Sequence, residues 1–452
     1  MENVIMGLVM GLILYGTMIF AYLFAANLRL PKKNIILGVT VPYAHHNEAA
    51  IESVSAVYLK RLRVLTGVSL LLGLPIFFVP MSVQIFICLT VLLLFIGGDM
   101  VIFVQANRAL RTLKKQGGWS EVVHTTPSVA DFRAMEEKSR PLPRLLFGLP
   151  CLVAAIPLVF LVPELIQGTV VWGQVIGYGV TFLMLPLMFA LGEAIRRQNA
   201  EIVGANSDFN VVLTRIRRRE YLRCMALCTW LLAITALFIW FQTSVSEFLF
   251  LGVIAVLTIV VVFYAFRAEF AVRRAQERFT KLVGDTLTVD DDEYWLWGLF
   301  YYNKNDKRFF IKDRIGINMS INMGRPLGLI AMLLSGVILL AMPLIGVWTM
   351  AEEFSPIRYE VDGHRVIVSH VITRQFDLGE HFEAELLDTL PSGTRTGGTS
   401  VGTLRSGNFN FQGIGPAWVL FHADQAPFIM LRGESGQVLI FNFDPVFEAL
   451  LR

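Results

Sequence analysis

Two carboxylates inside otherwise apolar stretches are the residues of this chain best placed to do chemistry. Asp99 follows Gly97-Gly98 within the run 83–105, and Glu193 lies near the end of the run 172–195, four residues before Arg197. A charge in hydrocarbon is costly, so such acids face a bundle interior, a polar cavity or a partner, and they recur in ion and proton pathways. For Glu193 the simpler expectation is an ion pair with Arg197. Asp99 is deeper and has no base four residues on, which leaves a structural hydrogen bond, a polar cavity, or an ion or proton role. Cys224 and Cys228 share a helix face, yet no histidine stands near them in sequence to complete a metal or redox site, so they read as packing residues. His45-His46 adjoin a single acid, Glu48, and read as a solvated loop. His364, His370, His381 and His422 lack ligand spacing and fall on different expected strands. There is no His-Glu-x-x-His, no Gly-x-Ser-x-Gly, no phosphate loop and no second deep carboxylate to pair with Asp99. The glycine-rich run Gly393 to Gly402 does not follow a strand and open a helix, so it reads as a loop rather than a nucleotide fingerprint. No catalysis, metal or cofactor is expected.

The elements that must hold these residues are membrane helices. Hydrophobic residues make up 55% of the chain and charged ones 17%, against roughly 25% charged in a soluble domain. A span needs about 20 apolar residues. Eight stretches qualify, at about 4–26, 64–81, 83–105, 145–162, 172–195, 224–243, 247–266 and 328–350. Pro80-Met81-Ser82 separates the second from the third, which predicts a tight hairpin. Pro75, Pro150, Pro157, Pro186 and Pro343 interrupt spans, a feature that transporters use but that membrane helices tolerate widely.

Lys and Arg give the sidedness, because cytoplasmic loops retain positive charge. The segments 28–63, 106–144, 196–223 and 267–327 hold 32 of the 39 basic residues, and the other 7 are arginines after residue 350. The N-terminus is therefore expected outside, the four long loops inside, and the C-terminal tail outside. Residues 351–452 carry 13 acids against 7 arginines and no lysine, a net charge of −6. The overall +3 thus hides a basic inside and an acidic outside, and no nucleic-acid partner is implied. The basic run Arg215 to Arg219 reads as positive-inside anchoring. Ser128 and Asp131 make a capping box for a short cytoplasmic helix.

The chain divides into a seven-span body (1–284), an aromatic and polar cytoplasmic elbow (285–327), a last span (328–350) and an extracytoplasmic β-rich domain (351–452). Trp295, Trp297, Tyr301 and Tyr302 join apolar rings to polar handles, the type that settles at a membrane–water boundary, so the elbow is expected to lie against the bilayer. In the tail the period changes to two. Ile357, Tyr359 and Val361 alternate with polar residues, Asp362-Gly363 supplies a turn, and His364 to Val371 returns. Further strands are expected at Ala417–His422, Phe428–Arg432 and Gln437–Phe443. Asp444 and Pro445 then start a short helix burying Val446, Phe447, Leu450 and Leu451.

Three stretches resemble a known group. The run Tyr294 to Pro326, with Trp297-Gly298, Phe300-Tyr301-Tyr302-Asn303, Asp306, Arg314-Ile315-Gly316 and Asn322, is similar to a segment of uncharacterised multi-pass membrane proteins of Gram-positive bacteria. So are Gly38-Val39-Thr40-Val41-Pro42 and the run Arg111 to Trp119. Those proteins are in turn similar to immunity proteins that protect producer cells from their own secreted killing factor. The tail, above all Gly397 to Asp444 with Gly402-Thr403-Leu404-Arg405 and Phe441-Asn442, resembles a bacterial pleckstrin-homology-like domain. The strand pattern reads as a small barrel or sandwich closed by a C-terminal helix, and the resemblance implies an α-helical polytopic protein with the barrel form. Without lysine and at −6, that barrel does not suit phosphoinositides, and a protein or peptide contact is the expectation. Two functions follow: a non-enzymatic sensor, binding or immunity-type protein of the cell membrane recognising a peptide, protein or envelope component, and, alternatively, a small-solute or ion-coupled transporter using Asp99.

Overall fold

The computed structural model describes residues 2–32, 34–119, 143–167, 172–197, 207–241, 247–283, 290–315 and 319–451. The expected capping box at Ser128 lies outside them. Among the described residues there are nine α-helices: α1 (Glu2–Asn27), α2 (Ala49–Gly73), α3 (Met81–Gln116), α4 (Leu145–Ala154), α5 (Leu158–Gln167), α6 (Trp172–Arg197), α7 (Ser207–Trp240), α8 (Glu247–Val283) and α9 (Pro326–Phe354). Among the described residues seven candidate spans, at Met6–Asn27, Met81–Gln116, Leu145–Pro163, Val175–Arg196, Ser207–Trp240, Gly252–Phe279 and Pro326–Phe354, are long and apolar enough to cross a membrane, and the chain is a multi-pass membrane protein.

The expected second span, 64–81, does not form an apolar helix of that length. α2 carries Lys60, Arg61 and Arg63 in its middle and ends at Gly73, and the apolar run continues as a 3-10 turn, Leu74–Phe77, with Pro75 in its first positions. The segment nonetheless runs antiparallel to α1 along its whole length. Tyr58 donates to the carbonyl of Ala25 (3.0 Å) and Tyr15 to that of Leu70 (3.1 Å), while Gly7 lies against the backbone of Ile76 and Phe77. The fourth expected span is broken between α4 and α5 at Pro157, which has no N–H for the helical ladder.

α3, α7 and α8 have 36, 34 and 37 residues. At about 1.5 Å per residue each exceeds 50 Å, so each outruns a hydrocarbon core of about 30 Å and carries its basic residues beyond it. One bundle is made of α1, α2, α3 and α9, and a second of α4, α6, α7 and α8. They meet where Phe20 and Phe24 of α1 pack against Phe266 of α8.

The two ends of α3 are occupied differently. Its start adjoins the end of α9, where Glu353 accepts from the Ser82 N–H (3.2 Å) and Gly402 of the tail touches Glu353. Its end adjoins the elbow. The β-rich tail and the elbow therefore lie at opposite ends of the bundle.

Short hairpins pair β1 (Ile35–Ile36) with β2 (Val39–Thr40), β3 (Trp295–Leu296) with β4 (Phe300–Tyr301), and β5 (Phe310–Lys312) with β6 (Met319–Ile321). The tail holds β7 (Arg358–Asp362), β8 (Arg365–Ser369), β9 (Arg374–Asp377), β10 (Glu383–Leu387), β11 (Gly393–Val401), β12 (Leu404–Phe411), β13 (Gly415–His422), β14 (Phe428–Arg432) and β15 (Val438–Asn442). They form a three-stranded sheet, β7-β8-β9, and a six-stranded sheet, β10-β14-β15-β13-β12-β11, antiparallel except for β13 beside β15. Alternation places Leu420, Ile429, Leu431, Leu439 and Phe441 against Val366 and Val368 of β8, while Phe409, Val419, Phe428, Met430 and Ile440 build a second core on the other face. The larger sheet ends in β10 and β11 as edges and does not close into a barrel.

Three tail expectations change. The glycine-rich run is a strand, because Gly398 and Gly407 face each other where a Cβ on Gly398 would sit 2.1 Å from the Ser406 carbonyl oxygen. The C-terminal element is a 3-10 helix, Pro445–Leu450, capped by Asp444 accepting from the Val446 N–H. It buries Phe447 and Leu450 and leaves Val446 and Leu451 exposed.

Candidate functional site

The densest polar construction among the described residues lies at the elbow end, and it begins with two turns. Leu37 and Gly38 join β1 to β2 with φ of +47° and +73°, and Trp297 and Gly298 follow β3 with φ of +54° and +74°. Both turns need the left-handed region, which is cheap only for glycine. The tips touch: a Cβ on Gly38 would stand 3.0 Å from the Gly298 Cα, and one on Gly298 would stand 2.5 Å from Asn107 Nδ2. Asn107, fully buried on α3, donates to the Leu37 carbonyl (2.8 Å) and pins the junction.

Beneath it Asp292 collects four donors. The Thr40 N–H (3.0 Å) and hydroxyl (2.9 Å) and Arg314 Nη2 reach Oδ1, and Lys114 Nζ reaches Oδ2 at 2.7 Å. Lys114 also meets Asp290 at 2.5 Å and Arg314 meets Asp291 at 3.5 Å. Arg111 donates to the carbonyls of Asp292 (3.0 Å) and Trp295 (2.5 Å), and the Arg314 guanidinium lies over the Trp295 ring. The side chains of Lys114 and Arg314 are only 5% and 2% exposed, so three acids offset cations that have left water. Burial pushes the Asp292 carboxyl upward, but Arg314, Lys114 and the Thr40 N–H together outweigh it and hold the group below the usual carboxylate range.

A second buried acid joins the two bundles. Glu269 of α8, with no exposed surface, accepts from Lys32 (2.8 Å), Arg273 (2.7 Å) and the Tyr221 hydroxyl (2.7 Å). Arg273 also donates to the carbonyls of Asn27 (3.3 Å) and Ile315 (2.8 Å). Burial lowers the Lys32 ammonium against the opposing pull of Glu269. Through these two acids the loop after α1 is tied to α3, to α8 and to the elbow.

The residues singled out from sequence fall differently. Asp99 sits on α3 beside Gly98, which packs on Leu65 of α2. Its Oδ1 is buried with no hydrogen-bond partner among the described residues. Glu193 has Arg196 at 3.9 Å and Arg144 at 3.8 Å. The Arg197 side chain expected beside it lies outside the described residues. Asp99 and Glu193 belong to different bundles and are not brought together.

Of the four elbow aromatics, Trp295 and Tyr301 are buried and pack with Ile311, while Trp297 and Tyr302 are 43% and 38% exposed. The first two therefore form the elbow's own core rather than a boundary belt, because their polar handles are satisfied inside. Trp295 Nε1 donates to Asp291 (3.1 Å) and the Tyr301 hydroxyl to Asp306 (3.2 Å).

His45 is not simply solvated. It stacks on buried Trp119 and meets Glu48 at 2.5 Å, and His46 meets the Val41 carbonyl (3.1 Å). Arg217 and Arg218 of the basic run are buried, Arg218 donating to the Arg196 carbonyl (2.9 Å). No group of three His, Cys, Asp or Glu suited to a metal occurs among the described residues.

Asp292 and Glu269 are what reading the sequence missed as sites. The local signals were the Asp290–Asp292 run and the Glu269/Arg273 spacing, but Lys114 and Thr40 stand more than 170 residues from Asp292, and Lys32 more than 230 from Glu269. Chemically the elbow cluster is a clamp: each carboxylate meets two or more cationic or neutral donors. Comparison of the chain with protein-family profiles, with curated proteins and with solved structures finds no match.

Proposed function

We propose that this is a non-enzymatic integral membrane protein of the bacterial cytoplasmic membrane whose extracytoplasmic β-rich domain recognises a peptide, protein or envelope component, as a sensor or immunity-type protein. One observation carries the reading: a β-rich tail of charge −6 with an open sheet edge stands at the far end of the bundle from the elbow and the basic loops beside it. With the basic end inside, the tail projects outward. The meeting of 38–42, 111–119 and 294–322 in one buried cluster supports treating the three resembling stretches as a unit. The immunity role rests on that resemblance.

Capture from an envelope extract by the full chain in nanodiscs, and its loss on truncation after residue 355, tests the reading. Equal capture by the truncated chain would refute it. Deleting the gene and challenging cells with toxins of sibling strains tests the immunity form, which predicts raised sensitivity.

A second reading, an ion-coupled or small-solute transporter, is favoured by the unpartnered Oδ1 of Asp99 inside a span. It predicts that Asp99→Asn abolishes flux in vesicles, and unchanged flux would exclude it.

A further inference from the structure

We propose that the exposed edge of β10 binds an extended peptide alternating cationic and apolar residues, which adds to the six-stranded sheet as a further strand. The inference rests on the recognition reading above and names the surface and the ligand chemistry. β10 pairs with β14 from Glu383 opposite Arg432 to Leu387 opposite Phe428, and among the described residues no strand lies on its other side. Every second residue of such an edge directs its N–H and C=O away from the sheet, which is the template that strand addition uses. The opposite edge, β11, packs near α6 and α9.

The side chains of the edge select the partner. Glu383 and Glu385 are exposed and share one face of the strand, and Ala384 and Leu386 share the other, with Leu386 45% exposed. Between residues 375 and 392 stand Asp377, Glu380, Glu383, Glu385 and Asp388, with no lysine or arginine. Arg432, the basic residue across from Glu383, approaches it only to 3.9 Å, and the Glu383 side chain is 85% exposed. An added strand places its side chains directly opposite these, about 5 Å away. Lysine or arginine at alternate positions then meets Glu383 and Glu385, while the intervening apolar residues cover Ala384 and Leu386. A neutral or acidic strand leaves the acids unpaired or repelled.

The test uses the full chain in nanodiscs of zwitterionic lipid and fluorescence anisotropy of three labelled octapeptides: alternating lysine and valine, alternating glutamate and valine, and the lysine–valine peptide with every backbone nitrogen methylated. The lysine–valine peptide should bind. The glutamate–valine peptide should fail, and methylation should weaken binding at least tenfold, because it removes the donors that strand addition requires. Glu383→Lys with Glu385→Lys should weaken the lysine–valine peptide about tenfold at an unchanged thermal midpoint.

Binding that survives methylation would reduce the contact to charge alone and overturn the proposal, as would binding indifferent to the double charge reversal. Capture of only neutral or acidic ligands by the β-rich tail would overturn the cationic edge while leaving the recognition reading intact. Absence of any ligand on the tail would remove both.

Discussion

Replacing Asp292 by asparagine keeps its volume and removes one negative charge from between two cations that have almost no access to water. Lys114 and Arg314 keep Asp290 at 2.5 Å and Asp291 at 3.5 Å, so neither is stripped of all compensation. The loss should therefore stand at the low end of the cost of breaking a buried ion pair, about 3 kcal/mol. Because Asp292 links Thr40 of one hairpin to Lys114 of α3 and Arg314 of the elbow, the three should loosen together. Hydrogen–deuterium exchange reads this directly: amides of 35–41 and 290–315 that exchange by local opening should speed up about a hundredfold, while those of β13 and β15 at the far end of the bundle should not move. The double variant Asp292→Asn/Arg314→Met should cost less than the sum of the two single changes, with a coupling above about 0.5 kcal/mol. Additive effects within that limit, or faster exchange confined to the elbow alone, would refute the shared clamp.

The same carboxylate sets a pH response. Its folded pKa lies below the unfolded value of about 3.9, so its contribution is complete above that value and is lost only as pH falls through the depressed folded pKa. Exchange at 35–41 should thus be unchanged by Asp292 protonation from pH 7 to pH 5, after correction for intrinsic rates, and should rise below about pH 4. Gly298→Ala forces a left-handed alanine at φ +74° and drives its Cβ into Asn107. The expected cost is about 2–3 kcal/mol, from the backbone and the lost Asn107 bond, seen as a lowered thermal midpoint in nanodiscs. Tyr221→Phe removes one of the donors to Glu269 and should cost about 1–2 kcal/mol. An unchanged midpoint would show that the hydroxyl bond contributes nothing net.

What could be read from the sequence follows how local each determinant is. The β7–β8 hairpin was legible because Asp362-Gly363 and the flanking alternation lie within a dozen residues, and Asp444-Pro445 likewise announced its cap. The spans were legible from composition. The exception at α2 arises because an apolar count does not see a helix end at Gly73, and the segment still runs the length of α1 by switching to a 3-10 turn. β11 was hidden because glycine normally weakens a strand; the reason for glycine here is the backbone of β12, which no local rule contains. Trp295 and Trp297 show the limit most clearly. They are the same residue type two positions apart, and one is buried while the other is 43% exposed. The difference is made by Arg314 over the ring, Asp291 at the indole N–H and Tyr301 across the hairpin.

The buried acids extend that argument. A carboxylate in a polar loop reads as solvated until its partners are known, and those of Asp292 come from three separate parts of the chain. Asp99 could be singled out from sequence because hydrocarbon makes an isolated acid conspicuous, whereas Asp292 was masked by the acids beside it and Glu269 by the arginines around it. The basic charge from which these loops are expected on the inner face is in part buried and joins the loops to one another. Positive charge in this chain thus has two separable parts: exposed residues that bear on sidedness, and buried ones, of which Lys114, Arg273 and Arg314 hold the elbow, and Lys32 the loop after α1, against the helices. Neutralising Lys114 should loosen the elbow without inverting the protein, while neutralising exposed Arg108 or Lys115 should leave exchange at the elbow unchanged.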